Sequence, residues 1–508
     1  MNRENTVKKL NKMQQYTPNA LLCVLGAVVF LFVFYVLAYR TPVWDIWLPT
    51  NMDNDEVLYN RQVVSILTHG GPQGYFGYDE SHAALGRFGG WGPILIWAYA
   101  LPGFLFGSSY STMLWCNILF GVVGLALFAR AARLNVWQMI VSAGGLVCLW
   151  MPLTLLFCGS SESLHNALAL VAVGASAALA RRQNRGWFVL AAVACAFLTI
   201  SRPYALLLWA FPLTVLWKNL RWRNTALALA LLSFVVGLFN MTALTAPYFE
   251  GLGLDLTALS MARTGDLVGA IQYQWQHIVL QLRIVWSQVL PTLQGNIQQL
   301  GTATIGFVVL LAVTLVCLVC DRRRGRAVRF KVCALVASVA IVLMLVVLYN
   351  VIARHLMIPC LLLLAALVLE DARRTVVYLP VLAILLLPLN ARRSSLSTYF
   401  PEMADQMTAV ETALTQSLAE NDSTDPWDHT LAYAYDDGVF HGYLYAVPAG
   451  MGVEFDWNTY LANENKTIRS RYAMVGHGTD AETRLLQDGW EALVSTKDLV
   501  VYERPEGE

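Results

Sequence analysis

The feature that most constrains this chain is a series of long apolar runs within its first 390 residues. A helix needs about 20 mostly apolar residues to cross the hydrocarbon core of a bilayer. Eleven runs approach that length, at 20–38, 110–129, 137–157, 162–180, 186–200, 204–217, 225–243, 303–320, 332–350, 356–369 and 375–390. The sequence therefore predicts an α-helical polytopic membrane protein with about eleven transmembrane helices.

Composition excludes the other broad classes of protein. The chain of 508 residues is 57% hydrophobic and 14% charged, whereas soluble domains carry about 25% charged residues. This apolar excess is too large for a set of soluble cores, and it also excludes a disordered or a secreted disulfide-rich protein. The first run is too long, and lacks a small-residue cleavage site, for a removable signal peptide.

The basic residues predict how the helices are oriented, because cytoplasmic loops carry an excess of Lys and Arg. If the N-terminus is cytoplasmic, the inner loops hold more than twice as many Lys and Arg residues as the outer loops before the C-terminal region. The basic cluster at 322–331 is then a cytoplasmic flank, and a nucleic-acid patch is its alternative interpretation. We predict a multi-pass protein of the cell membrane with outer loops at 39–109 and 244–302.

Three regions follow from this arrangement. Residues 1–19 are predicted to be a cytoplasmic N-terminus, 20–394 a transmembrane domain and 395–508 a small extracytoplasmic α/β domain. In that last region the pattern predicts a helix at 481–487 and strands at 431–435, 471–475, 492–496 and 498–504. It contains none of the nine cysteines, no Gly-rich phosphate loop and no nucleophile elbow. We therefore expect an accessory domain without disulfides.

The first outer loop carries the most informative motif. Residues 51–61 read Asn-Met-Asp-Asn-Asp-Glu-Val-Leu-Tyr-Asn-Arg, and the apolar positions that follow predict a short helix at 57–67. Asp53 and Asp55 lie at the N-terminal end of this helix, where the helix dipole favours negative charge, so a helix cap is one interpretation of them. A second surface helix is predicted at 94–106, which is short for a membrane span.

The layout of one span followed by an acidic outer loop with two surface helices resembles the GT-C glycosyltransferases. The motif at 55–59, Asp-Glu-Val-Leu-Tyr, is similar to the Asp-Glu-x-x-Tyr of the aminoarabinose transferases, and protein O-mannosyltransferases carry a similar Asp-Glu. The resemblance implies a GT-C-like fold with Asp55 as the catalytic carboxylate and Glu56 beside it. Where many relatives have Lys before the Pro of the second surface helix, this chain has Trp91-Gly92.

Three further matches lie at the outer ends of predicted helices. Glu162 follows Gly-Ser-Ser at a position where relatives often have Asp, and Arg202 precedes a Pro where relatives have Lys or Arg. Residues 354–359, Arg-His-Leu-Met-Ile-Pro, resemble the family's Arg-Tyr-x-x-x-Pro, with His355 in place of Tyr. The resemblance covers roughly residues 20–370.

The resemblance implies transfer of a sugar from a polyprenyl-phosphate-linked donor to a glycan, lipid or protein acceptor at the outer face of the membrane, with inversion. Because phosphate is a good leaving group, the reaction needs a base for the acceptor hydroxyl and cations for the phosphate. Asp55 would be the base, since an ordinary Asp is ionised at neutral pH. Arg202 and Arg354 would hold phosphate through paired N–H donors.

Other residues complete the predicted substrate site, namely Asp53, Tyr59, Arg61, Arg87, Glu162, His165 and His355. The charged residues at helix ends have an alternative interpretation as interface anchors or ion pairs. No cofactor is established by the sequence. A divalent metal ion is an alternative, and its candidate ligands are Asp53, Asp55, Glu162 and His165.

Each of two further outer segments has two alternative interpretations of its role. Asp79, Glu80 and His82 form either a solvated loop or a substrate contact. The amphipathic pattern at 272–286 predicts a surface helix that either covers the bundle or gates substrate entry. For the whole protein, the expected partners are membrane lipid and the substrates above, not nucleic acid. The alternatives to a transferase are a transporter or flippase of a lipid-linked saccharide and a non-catalytic assembly protein.

Overall fold

The computed structural model describes residues 18–45, 54–71, 76–81, 92–244, 255–370, 372–391, 403–434 and 441–505. In the first half of the chain the helices are α1 (Ala20–Tyr39), α2 (Asn54–His69), α3 (Ile94–Phe106), α4 (Thr112–Ala132), α5 (Val136–Leu149), α6 (Met151–Thr154), α7 (Glu162–Arg181), α8 (Arg185–Ser201), α9 (Ala210–Leu216) and α10 (Leu220–Thr242).

The second half continues the bundle and adds a strand-containing domain. Its helices are α11 (Thr257–Arg263), α12 (Leu267–Leu293), α13 (Gln299–Arg323), α14 (Arg329–Leu348), α15 (Met357–Glu370), α16 (Ala372–Ala391), α17 (Ala404–Glu420), α18 (Asn458–Leu461) and α19 (Asp480–Gln487). The strands are β1 (Phe76–Tyr78), β2 (Thr430–Ala434), β3 (Gly452–Asp456), β4 (Tyr472–Gly476), β5 (Glu491–Ser495) and β6 (Leu499–Glu503).

Helical structure occupies each of the eleven apolar runs, but not every helix is long enough to cross a membrane. Among the described residues, seven helices have the length and hydropathy of a span: α1, α4, α7, α10, α13, α14 and the segment Ala353–Glu370 that contains α15. The bent pair of α5 and α6 would be an eighth. The polytopic helical fold is confirmed, whereas the number of eleven spans is not.

The most enclosed span is α7, which packs against α4, α8 and α15. In α4, a Cβ added at Gly124 would lie 2.7 Å from the Cβ of Ala167 in α7, so the two backbones cross closely. Small residues at such crossings let transmembrane helices approach each other. This close packing fixes the N-terminal end of α7, where Glu162 lies.

The chain reaches α7 through a sharp bend. The segments Val136–Leu149 and Met151–Phe157 meet at 90°, and Trp150 between them has a φ of 60°, a conformation that bulky residues rarely adopt. The Phe34 ring of α1 packs edge-on against the Trp150 ring, with centroids 5.0 Å apart. The bend leads into the turn at 158–161 that precedes α7.

A six-stranded sheet with the order β1-β3-β2-β4-β6-β5 forms the core of the C-terminal domain. The first four strands are parallel, and β6 is antiparallel to both β4 and β5. The predicted small α/β domain is confirmed, including α19 and the four predicted strands. The strands β3 and β1 were not predicted, and β1 belongs to the first predicted outer loop. The predicted boundary after residue 394 lies outside the described residues.

The first predicted outer loop packs into the C-terminal domain at a second place. Val57 and Leu58 of α2 share a hydrophobic core with Met407 and Val410 of α17 and with Val453 of β3. The loop is therefore part of the same packed unit as the domain. The predicted surface helices are also present, as α3 and as the longer amphipathic α12.

Three buried carboxyl groups lie where β1 meets β3. Glu80 accepts hydrogen bonds from the backbone N–H groups of Arg469 and Ser470 at 2.7 and 2.9 Å, and its own N–H donates to Asp456 at 2.9 Å. Glu454 is buried opposite Gly77 in the strand register. The solvated-loop interpretation is therefore wrong for Glu80. His82 lies outside the described residues.

The opposite end of the bundle contains a buried ion pair. Lys331 Nζ lies 2.7 Å from Asp321 Oδ2 and 3.6 Å from Glu370 Oε2. Glu370 also accepts a hydrogen bond from the backbone N–H of Phe330 at 2.7 Å. These contacts join the adjacent ends of α13, α14 and α15.

Candidate functional site

A buried ion pair joins the start of α7 to the end of α8. Arg202 Nη2 lies 2.5 Å from Glu162 Oε1, and the exposed fractions of the two side chains are 1% and 5%. Arg202 also donates to Ser161 Oγ at 3.3 Å and to the Tyr204 hydroxyl at 3.1 Å. The Ser160 hydroxyl donates to the other carboxylate oxygen of Glu162. Such pairing and hydrogen bonding are what stabilise buried charges.

A third stretch of chain adds two basic side chains to this pair. Arg354 Nε lies 3.4 Å from Glu162 Oε1, and His355 Nε2 lies 3.9 Å from the same oxygen. The Arg354 side chain is 28% exposed, whereas Arg202 and His355 are buried. Among the described residues, one carboxylate thus faces two guanidinium groups. Of the two guanidinium groups, that of Arg354 is the accessible one, and a planar guanidinium can donate paired hydrogen bonds to an anion.

His165 lies one turn along α7 from Glu162. Its Nδ1 donates to the backbone carbonyl of Ser161 at 2.9 Å, which fixes the orientation of the ring. The described residues contain no group of three or more His, Cys, Asp or Glu side chains arranged to hold a metal ion. Two of the candidate ligands, Asp53 and the Asp55 side chain, lie outside those residues, so the metal alternative stays a prediction.

Two residues that the sequence analysis missed hold the turn in front of Glu162. Asn117 Nδ2 of α4 donates to the carbonyls of Cys158 and Ser160 at 2.6 and 2.8 Å, and the Tyr99 hydroxyl of α3 donates to Asn117 Oδ1 at 2.8 Å. Both side chains are fully buried. The sequence did contain a signal for these two residues. An Asn and a Tyr inside apolar segments need hydrogen-bond partners within the protein.

Glu56 brings α2 to the same turn. Its side chain is buried, and a Cβ added at Gly159 would lie 3.0 Å from the Glu56 Cβ. Its carboxylate also interacts with the Cys158 thiol. Asp55 lies in the first turn of α2, but its side chain lies outside the described residues, as do Asp53 and Arg87.

Two more predicted residues extend from α2 in other directions. Tyr59 packs, half-buried, against the hydrophobic cluster that joins α2 to α3. Arg61 donates to the carbonyls of Val447 and Pro448, each at 3.2 Å, and to the carbonyl of Met451. Arg61 therefore ties α2 to the C-terminal domain.

The predicted residues thus fall into three groups. Around the turn at 158–161 the structure brings together Glu56, Glu162, His165, Arg202, Arg354 and His355. Tyr59 and Arg61 make packing and anchoring contacts of α2. The remaining positions lie outside what the structure describes.

Comparison with known proteins identifies the fold. No protein-family model and no curated protein sequence matches the chain. The apo oligosaccharyltransferase of Archaeoglobus fulgidus matches 90% of this chain and 69% of its own, with a TM-score of 0.50 and 12% identity. This likeness confirms the predicted GT-C-like fold.

A second solved protein also matches along nearly the whole chain. ArnT, the aminoarabinose transferase of Cupriavidus metallidurans, was solved bound to undecaprenyl phosphate, and that structure matches 96% of this chain and 98% of its own at a TM-score of 0.47 and 15% identity. Its apo state matches 95% and 97% at a TM-score of 0.47 and 13% identity.

Proposed function

We propose that this protein is a membrane glycosyltransferase that moves a sugar from a polyprenyl-phosphate-linked donor to an acceptor at the outer face of the membrane. The observation that carries the proposal is the convergence of Glu162, Arg202 and Arg354 beside the carboxylate-bearing α2. These residues come from three separate stretches of chain and meet at the end of the bundle that carries the C-terminal domain. The GT-C-like fold supports this function.

The contacts of the two arginines support a different role for each. Arg202 is buried and engaged with Glu162, Ser161 and Tyr204, so its main role in the proposal is to orient the Glu162 carboxylate. Glu162 in turn holds Arg354, whose partly exposed guanidinium can meet the donor phosphate. Fixed cations at a departing phosphate stabilise the charge that develops in the transition state.

The proposed reaction is a direct displacement with inversion. An acceptor hydroxyl oxygen attacks the anomeric carbon, and the bond from that carbon to the phosphate oxygen breaks. The electron pair leaves with the polyprenyl phosphate, while the hydroxyl proton passes to the Asp55 carboxylate. Glu56, next to Asp55 on α2, contributes negative charge and positions the helix against the turn at 158–161.

Sugar transfer in proteoliposomes tests the proposal. The full chain is supplied with a radiolabelled polyprenyl-phosphate sugar and candidate acceptors. Asp55→Asn is expected to abolish transfer while leaving undecaprenyl-phosphate binding intact, and Arg354→Ala to lower transfer by about 100-fold or more. Arg263→Ala, at an exposed position of α11, is the matched control and should behave as wild type.

Each competing function predicts a different outcome of the same assay. Wild-type rates for Asp55→Asn would remove Asp55 from its proposed role. Movement of labelled lipid across the vesicle membrane with the glycosidic bond intact would indicate a flippase. A protein that neither transfers the sugar nor moves the lipid would be a scaffold.

A further inference from the structure

A short segment of the C-terminal domain lies against α2. The 3-10 helix His441–Ala446 carries two buried tyrosines, Tyr443 and Tyr445. Both belong to the hydrophobic core that the domain shares with α2. Because this core joins the domain to the helix of Asp55 and Glu56, side chains of this segment lie close to the candidate site.

The two tyrosines differ in what their hydroxyl groups contact. Tyr443 has its hydroxyl 3.0 Å from Gln406 Oε1 and 2.9 Å from Asp498 Oδ2, both within the domain. The buried hydroxyl of Tyr445 has no hydrogen-bond partner among the described residues. A buried hydroxyl without a partner destabilises the fold, whereas Phe would fill the same space without that cost.

The surroundings of Tyr445 show where its hydroxyl lies. Its ring packs edge-on against that of Tyr110, with centroids 6.3 Å apart. The phenol is within electrostatic range of the Glu56 carboxylate and the Cys158 thiol. Burial, and next the Glu56 charge, raise the pKa of Tyr445 well above its usual range, so the hydroxyl keeps its proton and remains a donor.

The position of this segment is fixed relative to the carboxylates. Arg61, six residues along α2 from Asp55, donates to the carbonyls of Val447, Pro448 and Met451, just after Tyr445. Hydrogen bonds from a charged donor are stronger than neutral ones. Arg61 therefore acts as a positioning residue that fixes the position of Tyr445 relative to Glu56.

We infer that Tyr445 is a substrate-contacting residue supplied by the C-terminal domain, whose hydroxyl donates a hydrogen bond to a substrate oxygen beside Glu56 of α2. The inference rests on the proposed glycosyl transfer and adds a contact that the bundle alone does not provide. The oxygen belongs either to the lipid-linked sugar donor or to the acceptor. The domain is then part of the substrate site and not an accessory to it.

A matched pair of variants of the full chain tests the inference. Tyr445→Phe should keep or raise the melting temperature and lower kcat/KM about tenfold, the effect of losing one hydrogen bond of about 1.4 kcal/mol. Tyr443→Phe, in the same 3-10 helix, loses contacts within the domain and should lower the melting temperature while leaving kcat/KM unchanged. A rise of KM for only one substrate identifies the donor or the acceptor as the source of the oxygen.

The contrary outcomes separate this inference from the proposed function. Wild-type kcat/KM for both substrates in Tyr445→Phe overturns the substrate contact while sugar transfer stands. A loss of activity that only follows a lowered melting temperature also overturns it, because the hydroxyl is then structural. If the wild-type chain transfers no sugar, the proposed function fails and this inference fails with it.

Discussion

At the scale of single residues, charge burial distinguishes Glu162 from ordinary interface residues. Its carboxylate oxygen Oε1 forms ion pairs with two guanidinium groups, directly with Arg202 and at 3.4 Å with Arg354. The sequence could predict that Glu162, Arg202 and Arg354 lie at the same side of the membrane, because each follows or opens an apolar run. It could not predict that Tyr204 contacts Arg202 or that Tyr445 lies near Glu56, since both contacts depend on tertiary packing.

Glu162→Gln tests the ion pair with the smallest change of shape. The variant leaves the buried Arg202 charge without its main partner, which costs about 3–5 kcal/mol of stability. We expect a lower melting temperature and loss of sugar transfer. Glu162→Gln/Arg202→Gln removes both charges and should recover stability relative to Glu162→Gln. Melting temperatures followed by tryptophan fluorescence measure this coupling, and additive losses would contradict it.

The buried carboxyl cluster at the β1–β3 junction predicts a pH dependence of stability. Burial, and next the Asp456 charge, raise the pKa of Glu454 to about 10. Burial, and next the Glu80 charge, raise the pKa of Asp456 to about 8. In the unfolded chain the pKa of each group is about 4. Between these pKa values the folded state binds more protons than the unfolded chain. The two groups therefore contribute stability that is fully present below pH about 4 and is lost as the pH rises through 8 and 10.

Glu454→Gln should weaken this dependence, because the amide is neutral at every pH. We expect a higher melting temperature than wild type at pH 9, by about 4 °C or more, and a smaller difference at pH 5. Glu491→Gln, at an exposed position of β5, is the control and should keep the wild-type slope. A Glu454→Gln variant that also keeps that slope would show that Glu454 does not titrate between these pH values.

At the scale of elements, the sequence predicted those helices and strands that depend on the local pattern of apolar and polar residues. The helix at 94–106 has the predicted bounds, and the predicted strands of the C-terminal domain are present. The strand β3 was missed because its buried Glu454 and Asp456 give it the composition of a loop. The strand β1 was missed because it has three residues and pairs with a partner far along the chain. The bend at Trp150 was hidden inside one continuous apolar run.

The ion pair at the opposite end of the bundle gives a prediction about elements. Among the described residues, Asp321→Asn leaves the buried Lys331 with the more distant Glu370 as its one acidic partner. This loss costs about 3 kcal/mol and loosens the junction of α13 with α14. Arg326→Gln removes an exposed partner of the same carboxylate and should cost less than about 1 kcal/mol. Thermal unfolding compares the two variants, and similar losses would contradict the importance of burial.

We expect variants at the two ends of the bundle to differ in their effect on sugar transfer. The folded fraction of Asp321→Asn is expected to keep the wild-type kcat/KM for sugar transfer, because Asp321 lies at the end of the bundle opposite to Glu162. A selective fall in kcat/KM at unchanged folded fraction would show that the distant ion pair also acts on the site.

At the scale of the whole molecule, the first predicted outer loop joins the two parts of the protein. Its helix α2 contacts the turn at 158–161 of the bundle, while β1 and Arg61 join the C-terminal domain. The sequence predicted a transmembrane domain and a separate C-terminal domain. It could not predict that they share a core, because that contact depends on residues nearly 400 positions apart.

The most direct measurement is a structure of the full chain with undecaprenyl phosphate bound. We predict density for the phosphate within about 3 Å of the Arg354 guanidinium, a hydrogen-bond distance, at the end of the bundle that carries the C-terminal domain. Phosphate density at the opposite end, near Lys331 and the arginines that precede it, would contradict the proposed site.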